Sequence, residues 1–157
     1  MILLPHDFWE VRDTKKKGKG IFAKKDIKKH KLVAQYIGKL IHIKDIDLDT
    51  YGQYLMEYDD ERTIVPNLQS VGAHLINHSC DPNCWIYKYN RNVFLASMRD
   101  ILPGEEITIH YLLPPKGISC KDTCSHICNC GEENCTGTMH LSEEDYKTWQ
   151  KILNSLD

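Results

Sequence analysis

No run of 18 apolar residues occurs anywhere in the 157-residue chain, which removes a single hydrophobic membrane-spanning helix from consideration. The opening "MILLPHDFW" lacks the basic start and the cleavage site of a secretory signal and is too short for one, so classical export is not expected. An excess of either charge is missing as well. Twenty Lys and Arg stand against 22 Asp and Glu, a formal net charge of -2, so broad nucleic-acid binding is not expected. The local runs "KKKGK" and "KKDIKKHK" are then expected on solvated strand edges and turns. Internal repeats and low-complexity tracts are absent, which excludes solenoids and biased disordered segments.

What the chain does have is cysteine, seven of them, several packed between positions 120 and 135. In a chain not expected to reach an oxidising compartment, such a cluster reads as metal ligands ahead of disulfides. A second conspicuous feature, "GKGIFA" at 18–23, fits the letters of a dinucleotide-binding loop. That reading needs a buried strand before it and a helix after it. Neither flank supplies them: "FWEVRD" leads into lysines, and "KKDIKKHKLVAQYIG" contains an extended valine-bearing run in place of a helical stripe. Glycine still permits a tight turn or a close backbone approach there.

From the N-terminus to about residue 117 the pattern is one of short extended segments separated by turn residues: "WEVRD", "GIFAKKDI", "KLVAQYIGKLI", "YLMEYD", "TIVPN", "WIYKYN", "VFLASMRDI" and "EEITIHYL". The alternation in "NVFLASM" and "EITIHYL" predicts strands buried on one face, hence a mostly β domain of several small sheets. Short helical turns are expected around "IKDIDLDTYGQ" and near "SVGAHLINH". At the C-terminus Ser142 with Asp145 resembles a capping box, and Tyr146, Trp149, Leu153 and Leu156 share one face of a predicted helix that packs on the β domain.

Three further stretches concentrate chemistry. "NHSCDPN" (77–83) gathers amide, imidazole, hydroxyl and thiol groups, a costly set to bury without partners. "CNCGEENC" spaces Cys128, Cys130 and Cys135 as C-x-C-x4-C, and "GEEITIHY" ends on Tyr111. With the glycine pair, and in this order, these stretches resemble the SET-domain protein-lysine methyltransferases, "CNCGEENCTG" being similar to the post-SET module. The resemblance covers residues 10 to 137. It implies a β-clip (SET) fold of small sheets around a knot-like crossing, with few short helices and a C-terminal helix. It divides the chain into a catalytic domain (1–117), a post-SET zinc-binding segment (118–141) and a terminal helix (142–157).

The same resemblance implies S-adenosylmethionine bound by Gly18, Lys19, Gly20, Tyr54, His74, Asn77 and His78. Lys19 stands where relatives often carry an aromatic, so a stacking contact is expected to be missing. Tyr54 also reads as an ordinary strand aromatic. Asn77 can offer both donor and acceptor from one amide, while the His78 ring is expected to help hold the crossing of two chain segments. Tyr111 is assigned as the catalytic phenol and Tyr36 as a second wall of the lysine channel, although Tyr36 also fits a core strand position. Relatives usually carry an aromatic and an acidic residue just before the catalytic tyrosine; here Ile109 and His110 replace them. Without a hydroxyl at Ile109 the pocket is expected to admit di- and trimethyllysine, provided that Tyr87 does not fill the gap.

Three thiolates are one short of a tetrahedral zinc set, and the resemblance supplies Cys80 as the fourth ligand of a structural zinc with Cys128, Cys130 and Cys135. Disulfides remain the alternative. Cys120, Cys124 and His126 are additional to that set and leave room for a second ion, and Cys84 is expected to be a buried residue at a strand edge. The expected partner is a lysine-bearing peptide, a histone tail first. Glu57, Asp59, Asp60 and Glu61 form either an acidic patch that steers it or a solvated hairpin tip. Action on chromatin would place the chain in a nucleus if the organism is eukaryotic, and in the cytoplasm otherwise. A non-histone target and a catalytically silent, zinc-stabilised peptide-binding module are the competing readings.

Overall fold

In a computed structural model, the chain is described over residues 1–52, 54–118, 124 and 126–154. Cys120 and Leu156 lie outside the described residues, as does the side chain of Leu153. The chain forms two compact units: one comprises Met1–Asn77 and Asn83–Ile109, the other His78–Pro82 and His110–Asp157. The five residues that open "HSCDP" thus leave the first unit and the chain then returns to it.

The first unit is built from short antiparallel ladders. Strands β1 (Trp9–Asp13) and β2 (Lys19–Ala23) make a hairpin. Strands β3 (Leu32–Tyr36), β8 (Cys84–Tyr89) and β9 (Asn92–Ser97) form a sheet in the order β3-β9-β8. Strands β4 (Lys39–His42), β5 (Met56–Glu57) and β6 (Arg62–Val65) form another, in the order β4-β6-β5. The two-residue strand β10 (Thr108–Ile109) pairs with β7 (Asn77–His78), whose Asn77 belongs to this unit. The segment "KLVAQYIGKLI", expected to be continuous, is therefore two strands in two sheets. Strand β3 pairs with β9, and after Ile37 and Gly38 the chain turns to pair β4 with β6.

The expected alternation is present. Strand β9 buries every second residue, Val93, Leu95 and Ser97 facing inward. Ile21, Ala23, Ile27, Val33, Ala34, Ile101 and Ile107 complete a core of aliphatic side chains almost wholly removed from water. Each isoleucine, leucine or valine among them contributes about 1.5–3 kcal/mol relative to its exposed state. Helical structure among the described residues of this unit consists of one-turn pieces at His6–Phe8, Ile43–Asp45 and Ala73–Leu75 and the four-residue helix α1 (Leu48–Tyr51); all but the first lie where the sequence placed its two turns.

The second unit has few ladders. Ile127 and Thr138 form an isolated antiparallel bridge, flanked by bonds from Cys128 N–H to the Gly137 carbonyl (3.1 Å) and from Met139 N–H to the His126 carbonyl (3.0 Å). Leu113 bridges His140 in parallel, and Leu141 N–H donates to the Leu113 carbonyl at 2.8 Å. Helix α2 (Glu143–Asn154) opens on the predicted cap: Ser142 Oγ accepts the Asp145 N–H at 3.0 Å and lies 2.6 Å from the Asp145 carboxylate. Three acidic residues in its first turn, Glu143, Glu144 and Asp145, complement the positive end of the helix dipole.

Candidate functional site

The glycine pair sits in the β1–β2 hairpin, and its two members serve different ends. Gly18 has φ +72°, a left-handed conformation that close turns demand, and its carbonyl accepts the Thr14 N–H at 2.6 Å. Gly20 is a matter of space: a Cβ there would lie 2.6 Å from Glu106 Oε1 and 3.0 Å from Asn77 Nδ2. Asn77 Nδ2 donates to the Lys19 carbonyl (3.0 Å) and to Glu106 Oε1 (2.8 Å). Gly18, Lys19, Gly20 and Asn77 are therefore brought together, with Lys19 taking part through its backbone. The Lys19 side chain instead reaches the exposed Asp13 carboxylate at 3.2 Å.

Glu106 was not singled out in the sequence, yet it joins this cluster. Its other oxygen takes the Lys17 ammonium at 2.5 Å, and both side chains are mostly buried, 15% and 17% exposed. Lys17 thus corrects the expectation that the "KKKGK" lysines are solvated. A carboxylate withdrawn from water beside Asn77 needs a counter-charge, and Lys17 is that charge. Asn83, also missed, is 2% exposed and acts as a surrogate peptide group. Its Nδ2 donates to the Glu106 carbonyl (2.8 Å) and its Oδ1 accepts the Thr108 N–H (2.9 Å), fixing the strand that carries Glu106.

A second grouping in the same unit joins Tyr36, Tyr54 and His74. The Tyr36 hydroxyl donates to the Tyr54 carbonyl, and the Tyr54 ring meets the His74 ring edge-on at 6.0 Å. Tyr36 and His74 line a cavity of about 530 Å3 together with Trp9, Ile37, Asn67 and Val71. Burial, and then the positive chain terminus nearby, lower the pKa of His74, which favours a neutral ring. Gly20 and Asn77 are not among the residues lining this cavity.

The second unit holds His78 and Tyr111. The buried His78 ring accepts the Tyr111 N–H at Nδ1 (3.2 Å) and meets the Tyr111 ring edge-on at 5.4 Å. An accepting Nδ1 places the ring proton on Nε2, which lies 3.6 Å from Cys80 Sγ. His110, where an acidic residue was expected from the family pattern, accepts the Leu112 N–H at Nδ1 (2.9 Å) and packs against His78 at 4.6 Å. Leu112 takes a left-handed φ of 56°, so the His110 acceptor helps hold a turn directly after Tyr111.

Cys80, Cys128, Cys130 and Cys135 gather with their sulfurs all within 4.8 Å of one another. Cys80 and Cys128 are 3.7 Å apart, sulfur to sulfur. A disulfide would require about 2.05 Å, whereas thiolates at about 2.3 Å from a tetrahedral zinc are separated by about 3.8 Å. The donor set and its spacing fit zinc. Burial pushes the Cys130 thiol up, but backbone N–H groups of Cys80 and Glu132 and the Cys128 and Cys135 thiols outweigh it and bring it down to about 7. One ligand is thereby ready to bind a cation as thiolate. Cys84 contrasts with these four: it opens the edge strand β8, is fully buried and is pushed up by burial to about 12, an inert packing residue as expected.

The family description "SET domain" matches residues 18–112. This chain belongs to the SET-domain family. Similar proteins include a mouse "Histone-lysine N-methyltransferase, H3 lysine-36 specific", 31% identical over 142 residues. Others are "Histone-lysine N-methyltransferase trr" of Drosophila melanogaster (32% over 138 residues) and TRX1 of Oryza sativa subsp. japonica (34% over 141 residues). The matches take in 83, 81 and 82% of this chain but only 5, 6 and 13% of those proteins. Among solved structures, KRYPTONITE in complex with mCHH DNA, H3(1-15) peptide and SAH is similar with a TM-score of 0.68 and 27% identity. That match covers 83% of this chain and 29% of the neighbour.

The matched SET region contains the glycine pair, Asn77, His78, Cys80 and Tyr111, while Cys128, Cys130 and Cys135 follow it. Asn83 lay inside the polar stretch "NHSCDPN" without being singled out, and Glu106 stood in no motif of its own. The one available signal was the alternation of "GEEITI", which puts Glu105 and Glu106 on opposite faces so that one of the two turns inward. No helix of the described residues is long and apolar enough to cross a membrane.

Proposed function

We propose that this SET domain transfers methyl groups from S-adenosylmethionine to the side-chain nitrogen of a protein lysine, with a histone tail, that of H3 first, as substrate. The observation that carries the reading is the union of His78 with Tyr111: the ring of the "NHSC" histidine binds the backbone of the phenol-bearing residue. The names of the relatives and the SAH and H3 peptide held by KRYPTONITE support the same chemistry. Within the chain we assign 1–117 to the catalytic domain, 118–141 to the post-SET segment and 142–157 to the terminal helix.

We assign the cofactor to the cluster around Gly20, where the missing Cβ lets the Glu106 carboxylate and the Asn77 amide close on the hairpin backbone. Asn77 Nδ2 donates to the Lys19 carbonyl and to Glu106 Oε1, so Oδ1 suits an ammonium donor such as that of an amino-acid tail. Gly18, Lys19, Tyr54, His74 and His78 complete the assignment. S-adenosylmethionine supplies an electrophilic methyl on a sulfonium. The lysine amine, ordinarily with a pKa near 10.4, must arrive neutral, and desolvation in a narrow channel favours that form. The Tyr111 phenol then orients the amine for in-line displacement and Tyr36 walls the channel. Cys80, Cys128, Cys130 and Cys135 hold a structural zinc that fastens the "HSC" segment to the tail.

Ile109 is buried and has no hydroxyl, and the Tyr87 ring is stacked on Phe94 at 5.7 Å. We therefore assign di- and trimethyllysine as products; intact-mass analysis that stops at monomethyllysine contradicts this. For peptide steering, Asp59 is a poor charge donor, because it pairs with Arg62 and accepts the Glu61 and Arg62 N–H groups in the β5–β6 turn. Glu57 and Asp60 are exposed and carry the steering charge. Their reversal weakens peptide binding in a salt-dependent way if the patch steers and leaves it unchanged if the hairpin tip is merely solvated. Work on a histone tail places the chain at chromatin, in the nucleus of a eukaryote.

The test is incubation with methyl-labelled cofactor and separate histones, followed by mapping of the label. Transfer to a lysine of H3 is expected. Cofactor binding with no transfer to any histone would turn the reading toward the silent peptide-binding module or a non-histone target.

A further inference from the structure

Among the described residues a second group of ligand atoms converges, apart from the four-cysteine set: Cys124 Sγ, His126 Nδ1 and His140 Nε2, all within 4.8 Å of one another. Cys124 Sγ lies 3.1 Å and His126 Nδ1 lies 3.2 Å from His140 Nε2. The sequence spacing C-x-H marks only the first two, whereas His140 arrives through the bridges that pair Ile127 with Thr138 and Leu113 with His140.

Three features favour a cation over a set of hydrogen bonds. His140 is buried, and its Nδ1 is 2.5 Å from the Pro114 carbonyl, which can only accept. Nδ1 therefore carries the proton and Nε2 presents its lone pair to the other two residues. Histidines that bind metals are oriented in this way, with the remote N–H given to a carbonyl. Next, Nε2 has one in-plane lone pair, yet two potential donors converge on it; as hydrogen bonds they compete, while as ligands all three point at a common centre. Finally, the two imidazole nitrogens, 3.2 Å apart, are spaced as in a coordination shell, while the thiol sits about half an ångström closer to His140 than a bound thiolate would. Tetrahedral zinc with Zn–N of about 2.05 Å and Zn–S of about 2.3 Å separates two nitrogens by about 3.3 Å and a nitrogen from a sulfur by about 3.6 Å.

We infer that Cys124, His126 and His140 form a second zinc site, with one thiolate, two imidazoles and a fourth position completed by water or another donor. Its place in the fold suggests what it does. His140 is tied to Pro114 and Leu113, so the ion would clamp the chain that follows Tyr111 to the segment that leads into helix α2. The inference does not depend on the proposed activity.

The experiment is zinc counting on the full chain after dialysis into metal-free buffer. Two zinc ions per chain are expected for the wild type, and one each for Cys124→Ser/His126→Gln and for Cys130→Ser. One zinc in the wild type, or two retained by the double variant, overturns the inference. Because ligand loss can unfold the segment, a second measurement leaves every ligand in place: cobalt titration of the zinc-free wild type. Two equivalents should bind, one with the thiolate-to-cobalt absorption of a four-sulfur site and one with roughly a quarter of it. Saturation at a single equivalent contradicts the second site.

Discussion

The two units of this molecule are held together by different physics. The first rests on paired strands around buried Ile21, Val33, Val93, Leu95 and Ile107, the ordinary result of alternating apolar residues excluded from water. The second, outside helix α2, has isolated bridges where the first has ladders, and its buried positions include Cys128 and His140. A segment with so little apolar burial needs another source of cohesion, and two clusters of thiol and imidazole groups supply ligands for it. Apolar burial thus accounts for the larger unit, while the smaller one offers clustered ligand groups where the first has a core.

Stripping zinc should break this symmetry most severely, since a structural zinc is worth about 10 kcal/mol or more in isolated zinc-finger peptides. Amide exchange should accelerate by about 100-fold or more across 126–141 and leave β3 and β9 unchanged. Equal loss in both units would show that they share one source of stability. Thiol alkylation sharpens the point in the stripped protein. Cys130, brought down to about 7, should react first, its rate rising with pH to a midpoint near 7, while Cys84, held near 12 by burial, waits for unfolding of the first unit.

The converse experiment is Leu95→Ala. A fully buried leucine truncated in β9 should cost about 2–5 kcal/mol in denaturant unfolding and leave the zinc content intact. Loss of zinc along with stability would refute the division.

Gly20→Ala and Gly18→Ala separate crowding from backbone strain within a single hairpin. The first pushes a methyl into Glu106 and Asn77, costs about 1–3 kcal/mol and lowers cofactor affinity. The second costs about 1–2 kcal/mol through its left-handed φ, with affinity per folded molecule retained. Equal affinities in the two variants would remove the Gly20 cradle from the cofactor site.

The smallest effect concerns His74. Its pKa in the folded chain is lowered by burial and by the positive terminus, so below the ordinary value of 6.5 the unfolded chain takes up the proton first. Stability should therefore fall as pH drops through 6.5, and His74→Gln should flatten that slope. A slope unaltered by the substitution would assign it to other groups.

Legibility in the sequence followed the same division. "WEVRD" became β1 residue for residue, and "NVFLAS" buried its alternate positions, because a half-buried strand writes its period into local sequence. Where "KLVAQYIGKLI" passes from one sheet to another, periodicity cannot register the change, since both strands are apolar for different neighbours. The site showed the same limit. Asn77 and the glycines stood out as motifs, but Lys17 and Glu106 meet across 89 positions and are ordinary surface types until the fold withdraws them from water. His140 likewise gains meaning only when the chain doubles back on Ile127.

The most direct test of the account is Tyr111→Phe, measured by cofactor binding at equilibrium and by single-turnover transfer to a histone H3 peptide. The account predicts cofactor affinity within about threefold of wild type and a transfer rate lower by about 100-fold or more, because the lost hydroxyl orients the reacting amine. Transfer at a near-wild-type rate would contradict it.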